Sequence, residues 1–222
     1  MINLLIAFLG IGICLILGEI LWRKRILKGE YARKFVHITS ATFVAFWPLF
    51  LSNIEIALVS LLFIFALVLT KKLKLFRSLR SVRRATYGEI WYALGIGVSA
   101  LMFSDASVFA VAVLTMALAD GFAAVIGVSL GKKAGQFKIY GQRKSFFGSM
   151  SFMAISFFIN AVYWYFNIDL LPTDLQNVVF VSALSFGVAS ILTLAELLSP
   201  KGSDNIIVPV LAGILVLLPA SF

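Results

Sequence analysis

The sequence predicts an all-α membrane protein: a polytopic bundle of about eight (seven or eight) transmembrane helices with one amphipathic helix at the membrane surface. Of its 222 residues, 61% are hydrophobic and only 13% are charged, whereas roughly a quarter of the residues of a soluble domain are charged. The apolar residues form long runs, and the basic residues fall between these runs. These features exclude a soluble enzyme and predict a single integral-membrane domain over residues 1–222.

Eight apolar segments have about the length that a membrane-spanning helix needs, although the fourth is short. A hydrocarbon core about 30 Å thick requires ~20 residues at a rise of 1.5 Å per residue. The predicted spans are 2–22, 35–51, 54–70, 89–103, 106–130, 146–166, 177–198 and 205–222. Gly95 and Gly97 in the fourth span and Pro209 and Pro219 in the eighth predict tilted, kinked or partly re-entrant helices there. Transmembrane strands are a poor alternative, because the spans lack the alternating polarity of barrel strands.

The basic residues predict the orientation of the bundle. All 19 lie in the alternate connections 23–34, 71–84 and 132–144 and at position 201, while the other loops carry Glu55, Asp105, Asp169 and Asp174. The positive-inside rule therefore predicts an amino terminus outside and the basic connections in the cytoplasm. The first span is followed by its basic cluster, which is opposite to a cleavable signal peptide, so we expect a retained helix.

The connection 71–84 is predicted to lie on the membrane surface. It places apolar residues at helical spacing among seven bases with no acid. Anionic headgroups attract such a segment, although a phosphate-binding role is an open alternative. The net charge of +9 therefore indicates the lipid bilayer as partner and not a nucleic-acid polymer.

Five ionisable residues lie within or at the ends of the predicted spans, all toward the cytoplasmic side. These are Glu19, His37, Glu89, Asp120 and Glu196. A charge at the centre of a transmembrane helix costs roughly 2.5 to 3.5 kcal/mol, so each of these residues is a candidate for function. Asp120 is the deepest, about 15 Å from the inner boundary at 1.5 Å per residue.

Asp120 shares a helix face with Ala123 and Gly127, three and seven residues further on. A helix-packing seam of small residues would explain the glycine without any function. It would not explain the carboxylate, because a buried acid requires a metal ion, a basic partner or protonation. Asp120 is therefore a candidate site residue.

The start of the sixth span is a candidate phosphate site. Ser145 can cap the helix, Lys144 precedes it, and Gly148 and Ser149 lie in its first turn. Free amide groups and the positive end of the helix dipole bind phosphate at such termini. The alternative is a helix cap beside a lysine placed by the positive-inside rule.

The connection between the seventh and eighth spans supplies further acids. Glu196 ends one span, and Asp204 and Asn205 begin the next after a turn at Gly202. Two or three hard oxygen ligands at one rim suit magnesium carried by a nucleotide. Capping of the eighth span by Asp204 or Asn205 is the alternative.

Taken in order, five motifs resemble the CTP-dependent polyprenol kinases, the family of dolichol kinase and phytol kinase, which is related to the CDP-diacylglycerol synthases. The motifs are Arg33-Lys34-x-x-His37, Gly88-Glu89, Asp120-x-x-Ala123-x-x-x-Gly127, Lys144-Ser145-x-x-Gly148-Ser149 and Gly202-x-Asp204-Asn205-x-x-x-Pro209. The resemblance implies phosphoryl transfer from CTP, with Mg²⁺, to a long-chain isoprenoid alcohol such as phytol, dolichol or another polyprenol. The short chain fits the phytol kinase-like end of the family.

The resemblance also implies roles for the residues. Asp120 and Asp204, with Glu196, would hold the metal, and Lys144 would bind the nucleotide phosphates and act in catalysis. His37 or Asp120 would accept the proton of the hydroxyl. Further nucleotide contacts would come from Arg33, Lys34, Ser145, Gly148, Ser149, Gly202 and Asn205, and Glu89, Ala123 and Gly127 complete the motifs.

Two other functions remain open. A cytidylyltransferase would form a CDP-activated lipid from CTP and phosphatidic acid at a similar site. An ion-coupled transporter would also contain intramembrane acids and glycine-broken spans, but such sites lie near the midplane of the membrane, and the two halves of this sequence show no repeat.

Overall fold

A computed structural model describes residues 2–72 and 87–221, and in this part of the chain eight helical segments form a membrane-type bundle. The helices are α1 (Ile2–Arg23), α2 (Glu30–Val44), α3 (Asn53–Lys72), α4 (Gly88–Met102), α5 (Ala106–Leu114), α6 (Asp120–Ser129), α7 (Phe146–Phe166), α8 (Val178–Leu198) and α9 (Asp204–Leu217). A π-helical turn, Thr115–Ala119, joins α5 and α6 into one segment. The predicted helical membrane bundle is confirmed.

Four of these segments are long and apolar enough to cross a bilayer: α1, α5–α6, α7 and α8. The helices α3, α4 and α9 are apolar but provide shorter apolar stretches. Both limits of the second predicted span, 35–51, are wrong. The helix α2 begins at Glu30 and ends at Val44, and a 3₁₀ turn around Pro48 follows it. The predicted surface helix lies almost wholly at residues 73–86, outside the described residues, and stays a prediction.

The α5–α6 segment is the centre of the bundle. It packs against α2, α4, α7 and α9, while α1 packs on α2, α3 on α4 and α7 on α8. A buried cluster that includes Ala119, Phe152, Leu192 and Val208 lies where α6 to α9 meet. The helices α4 and α9 approach closely at Gly95. Only a residue without a side chain fits there, because a side chain would collide with the Asn205 carbonyl.

The outer faces of the peripheral helices are apolar. Exposed residues include Leu9 and Ile16 on α1, Leu61 on α3 and Phe158 on α7. In a bilayer these side chains would contact lipid, so their apolar surface would not be exposed to water. This distribution places α1, α3, α7 and α8 at the periphery of a membrane-embedded bundle.

A β-hairpin in the connection from α6 to α7 was not predicted from the sequence. The strands β1 (Gln136–Ile139) and β2 (Gln142–Ser145) pair antiparallel. The two residues between them, Tyr140 and Gly141, have φ values of 47° and 75°, as a type I′ turn requires. Because β2 leads directly into α7, the hairpin fixes the direction in which Lys144 enters the bundle.

Candidate active site

Three carboxylates from three different helices meet at one end of the bundle. One oxygen each of Asp120, Glu196 and Asp204 lies within 4.8 Å of the others. Asp120 is the first residue of α6, Glu196 lies in the last turn of α8, and Asp204 is the first residue of α9. The predicted convergence of these acids is thus present in the structure. Their oxygens are spaced closely enough to hold one cation together.

Lys34 is the basic partner of Asp120. Its ammonium group donates to the Asp120 carboxylate from α2, and only 3% of the lysine side chain is exposed. The sequence left three explanations for this buried acid open: a metal ion, a basic partner or protonation. The structure shows a basic partner. The sequence predicted Lys34 only as a phosphate ligand, and the pairing was missed.

Lys144 lies against the other two acids. Its ammonium group donates to the Glu196 carboxylate and, at 3.0 Å, to the Glu196 backbone carbonyl, and it is 3.8 Å from Asp204 Oδ2. Burial alone would lower the pKa of Lys144, but the charges of Glu196 and Asp204 outweigh it and raise that pKa above the ordinary lysine value. The ammonium group is therefore charged throughout the neutral pH range.

His37 is held by the π-helical turn that precedes Asp120. Its Nε2 lies 3.2 Å from the backbone carbonyl of Met116, within that turn, and 3.5 Å from Asp120 Oδ2. Because a carbonyl can only accept, Nε2 carries the hydrogen, and the lone pair of a neutral ring is on Nδ1. The ring also packs against Tyr92, with centroids 5.0 Å apart. Widened helical turns of this kind are frequent at functional sites.

Arg33 does not join the carboxylates. Its guanidinium pairs with Glu30, three residues earlier on α2, and its side chain is partly exposed. Glu30 was missed by the sequence reasoning, although an acid three residues before an arginine on a predicted helix is a recognisable signal. Glu89 lies at the start of α4, beside the same end of the bundle.

The glycines of two motifs are explained by helix packing. A side chain at Gly148 would approach the Ala123 carbonyl to 2.8 Å, and one at Gly127 would approach Ser145 Oγ to 2.7 Å. The predicted cap is confirmed, because Ser145 Oγ accepts from the amide of Gly148 at 3.2 Å. Ser149 donates to the Ser145 carbonyl at 3.1 Å. These contacts bring α6 and α7 together beside the acids.

The loop from α8 to α9 packs against the start of α4 and is hydrogen-bonded to it. Gly202 has φ +88°, and a side chain there would meet Gly88 Cα at 2.7 Å. The Asn205 amide donates to the Gly88 carbonyl at 2.9 Å, while its own Oδ1 is buried without a partner. The expectation that Asp204 or Asn205 is the cap residue of α9 is wrong, because Ser203 is the N-cap residue, and its side chain makes no cap hydrogen bond. Asp204 is the first residue of the helix: its Oδ1 accepts from the Asn205 backbone amide at 3.0 Å, and its Oδ2 lies 3.8 Å from the Lys144 ammonium group.

Comparison with known proteins shows the family. The chain is 30% identical to phytol kinase of Synechocystis sp. over 203 residues, which cover 90% of this chain and 83% of the relative. It is 32% identical to chloroplastic phytol kinase 1 of Arabidopsis thaliana over 226 residues, covering 92% of this chain and 71% of the relative. No protein-family model and no solved structure matches it.

The fold and the polar cluster define a membrane-embedded helix bundle with an acidic and basic site at one end. The two matches, at 30% and 32% identity over about nine tenths of the chain, also identify the family. The chain belongs to the phytol kinase family.

Proposed function

We propose that this protein is an isoprenoid-alcohol kinase that transfers a phosphoryl group from CTP to a long-chain alcohol of the phytol type at the cytoplasmic face of the membrane. The observation that carries the proposal is the meeting of three carboxylates and two lysines at one end of an apolar bundle. A water-soluble triphosphate and a membrane alcohol can react only at such a boundary. The names of the two relatives support the alcohol class, and the resemblance of the motifs supports CTP.

The donor set fits Mg²⁺. Carboxylate oxygens are the ligands this ion prefers, usually one or two carboxylates together with phosphate oxygens. Asp120, Glu196 and Asp204 supply them within 4.8 Å, and Lys34 and Lys144 neutralise only two of the three charges. We assign the ion to Asp120 and Asp204, with Glu196 as the third ligand. When bound, it would neutralise charge on the transferring phosphate.

Lys34 and Lys144 would bind the phosphates of the nucleotide. Each ammonium group contacts a carboxylate that would bind the ion. Once the ion neutralises that carboxylate, the lysine can turn toward a phosphate oxygen, and neither the carboxylate nor the lysine is left without an opposite charge. The amino end of α7, capped by Ser145, adds amide donors beside Lys144. Phosphoryl transfer depends mainly on this positioning and charge neutralisation.

His37 is the better candidate of the two proton acceptors. Asp120 is engaged by Lys34 and is assigned to the ion, whereas His37 has a lone pair on Nδ1 once Nε2 donates to Met116. The imidazole also lines an apolar groove that begins at this end of the bundle. A hydroxyl brought along that groove would meet the ring before it met the acids.

The test is a product analysis. Purified protein is incubated with Mg²⁺, α- or γ-labelled CTP or ATP, and phytol, geranylgeraniol, dolichol or phosphatidic acid. We expect a labelled alcohol monophosphate and a nucleoside diphosphate, lost in Asp120→Asn and retained in Asp174→Asn, whose acid lies in the loop between α7 and α8. Pyrophosphate together with a CDP-lipid from phosphatidic acid would instead establish a cytidylyltransferase and overturn the proposal.

A further inference from the structure

A long apolar groove runs from the carboxylate end of the bundle into its interior. It lies between the α1–α2 pair and the α3–α4 pair, and the space free of protein atoms in it comes to about 760 Å³ when the open solvent at its mouth is included. Each helix contributes residues at helical spacing: Ile11 and Leu15 of α1, Val36, His37, Ser40 and Val44 of α2, Ser60, Phe63 and Leu67 of α3, and Tyr92, Ala93 and Ile96 of α4. One continuous face of each helix therefore lines it.

Polar groups are concentrated at one end of the groove. Arg33, Glu89 and Asn205 line it at the start of α2, α4 and α9, and His37 follows one turn deeper. From Arg33 to Val44 the groove follows eleven residues of α2, about 16 Å at 1.5 Å per residue. An occupant would thus have a polar head and an extended apolar tail.

The far end of the groove is closed. Trp47, which is 2% exposed, and Val44 belong to a buried cluster with Ala7, Ile56 and Ile96. The hydroxyl of Ser60 donates to the Ala93 carbonyl and ties α3 to α4 beside the groove. A tail of limited length would therefore fit, and Val44 and Trp47 mark the limit.

The groove has a side that faces the lipid. Within the described part of the chain, α1 packs on α2 and α3 packs on α4, but no close packing joins α1 to α3. Leu15 on α1 and Phe63 and Leu67 on α3 stand on the two sides of this gap. Their helical neighbours Ile16 and Leu62 are 54% and 56% exposed on the lipid-facing surface.

We propose that this groove holds the isoprenoid tail of the alcohol, which reaches it from the bilayer between α1 and α3 and places its hydroxyl at His37. The proposal rests on the proposed function for the identity of the occupant. Its geometric support is separate, because the lining beyond His37 is mainly apolar, α1 and α3 leave a gap on the lipid side, and His37 at the polar end lies 3.5 Å from Asp120 of the acidic cluster. Val44 and Trp47 then determine the longest tail that is accepted.

The first experiment maps the tail without requiring catalysis. A diazirine-bearing isoprenoid alcohol is photo-crosslinked to the protein in nanodiscs, with phytol as competitor, and labelled peptides are identified by mass spectrometry. We expect label on the facing surfaces of α1 to α4, removed by phytol. Leu15→Trp should lose this label, whereas the matched Ile16→Trp, one residue away on the lipid-facing surface, should keep it. Label confined to other helices would overturn the proposal.

The second experiment uses the reaction. Leu15→Trp and Leu67→Trp should raise the KM for phytol by about tenfold or more, with the KM for the nucleotide unchanged, while Ile16→Trp and Val68→Trp match wild type. Val44→Phe should impair phytol but not geraniol, because it fills only the far end. Equal kinetics in lining and control variants would overturn the groove assignment. Competed groove labelling without any alcohol phosphorylation would instead leave the groove in place and remove the kinase function.

Discussion

The ammonium group of Lys34 on α2 binds the carboxylate of Asp120 on α6, across 86 residues of sequence. Both side chains are almost fully enclosed, at 3% and 11% exposure. Breaking such a buried pair by removing one partner costs about 3 to 5 kcal/mol, because the other charge stays buried and unpaired. The pair is therefore important for stability as well as being part of the candidate site.

Asp120→Asn should abolish phosphorylation, by at least about 100-fold, and should also lower the thermal stability of the purified protein. The double variant Lys34→Met/Asp120→Asn removes both charges and should recover much of the stability without recovering activity. Thermal unfolding and initial rates measure the two effects separately. Activity in the double variant would remove both residues from the mechanism.

Glu196→Gln and Asp204→Asn should each weaken divalent-cation binding by about tenfold or more, because each removes one of three oxygen ligands that lie within 4.8 Å. Mn²⁺, whose binding is followed by electron paramagnetic resonance, can replace Mg²⁺ in this measurement. Asp174→Asn is the matched control, since this acid is exposed in the loop between α7 and α8. Equal Mn²⁺ affinity in all three variants would show that the acids are not a metal site.

His37→Gln should lower kcat with little effect on the KM for either substrate. The glutamine amide can still donate to the Met116 carbonyl, but it cannot accept a proton from the alcohol. The wild-type rate should fall as acid protonates the imidazole, and the variant should lose this dependence. A variant with wild-type kcat and an unchanged pH profile would assign the proton to another acceptor.

The Lys144 contacts make a pH-dependent contribution to stability. Because the pKa of Lys144 is raised in the folded protein, this contribution is complete below the unfolded-state value of about 10.4 and is lost as the pH rises through the higher folded value. Lys144→Met should therefore be less stable than wild type at pH 7, and the difference should shrink above about pH 10. A difference independent of pH would contradict the ion pairing.

Gly148→Ala should destabilise the protein, because the added carbon would lie 2.8 Å from the Ala123 carbonyl. Gly187→Ala is the matched control in a neighbouring helix: nothing lies within 4 Å of the new carbon, so this change should stabilise by about 0.5 to 1 kcal/mol. Thermal unfolding compares the two. A stable Gly148→Ala protein with only a raised KM for nucleotide would favour a phosphate-binding role over packing.

The spans and the location of the site could be predicted from the sequence because lipid imposes strong local rules. Apolar runs of fixed length gave the helices, and charges inside the runs marked Asp120, Glu196 and His37 as unusual. The order of the motifs then indicated the family. Run length, charges within the runs and motif order can all be read from the sequence without knowing how the helices pack.

The pairings could not be predicted, because they depend on which helices become neighbours. Nothing local shows that Lys34 on α2 faces Asp120 on α6, or that the hairpin before α7 directs Lys144 to Glu196. The same limit applies to Gly148, whose role as a contact with Ala123 depends on the approach of α6. The groove between α1 and α3 is likewise a property of packing and not of any one segment.

In the proposed kinase, the basic loops and the acidic cluster share one water-exposed face that receives the nucleotide. With Cys14 changed to serine, single cysteines at Arg143, Lys201 and Asp174 can be labelled with a membrane-impermeant maleimide in oriented vesicles. We expect positions 143 and 201 to be labelled from the cytoplasmic side and protected by CTP with Mg²⁺, and position 174 to be labelled from outside. Labelling of 143 and 201 from opposite sides, or no protection at either, would contradict this arrangement.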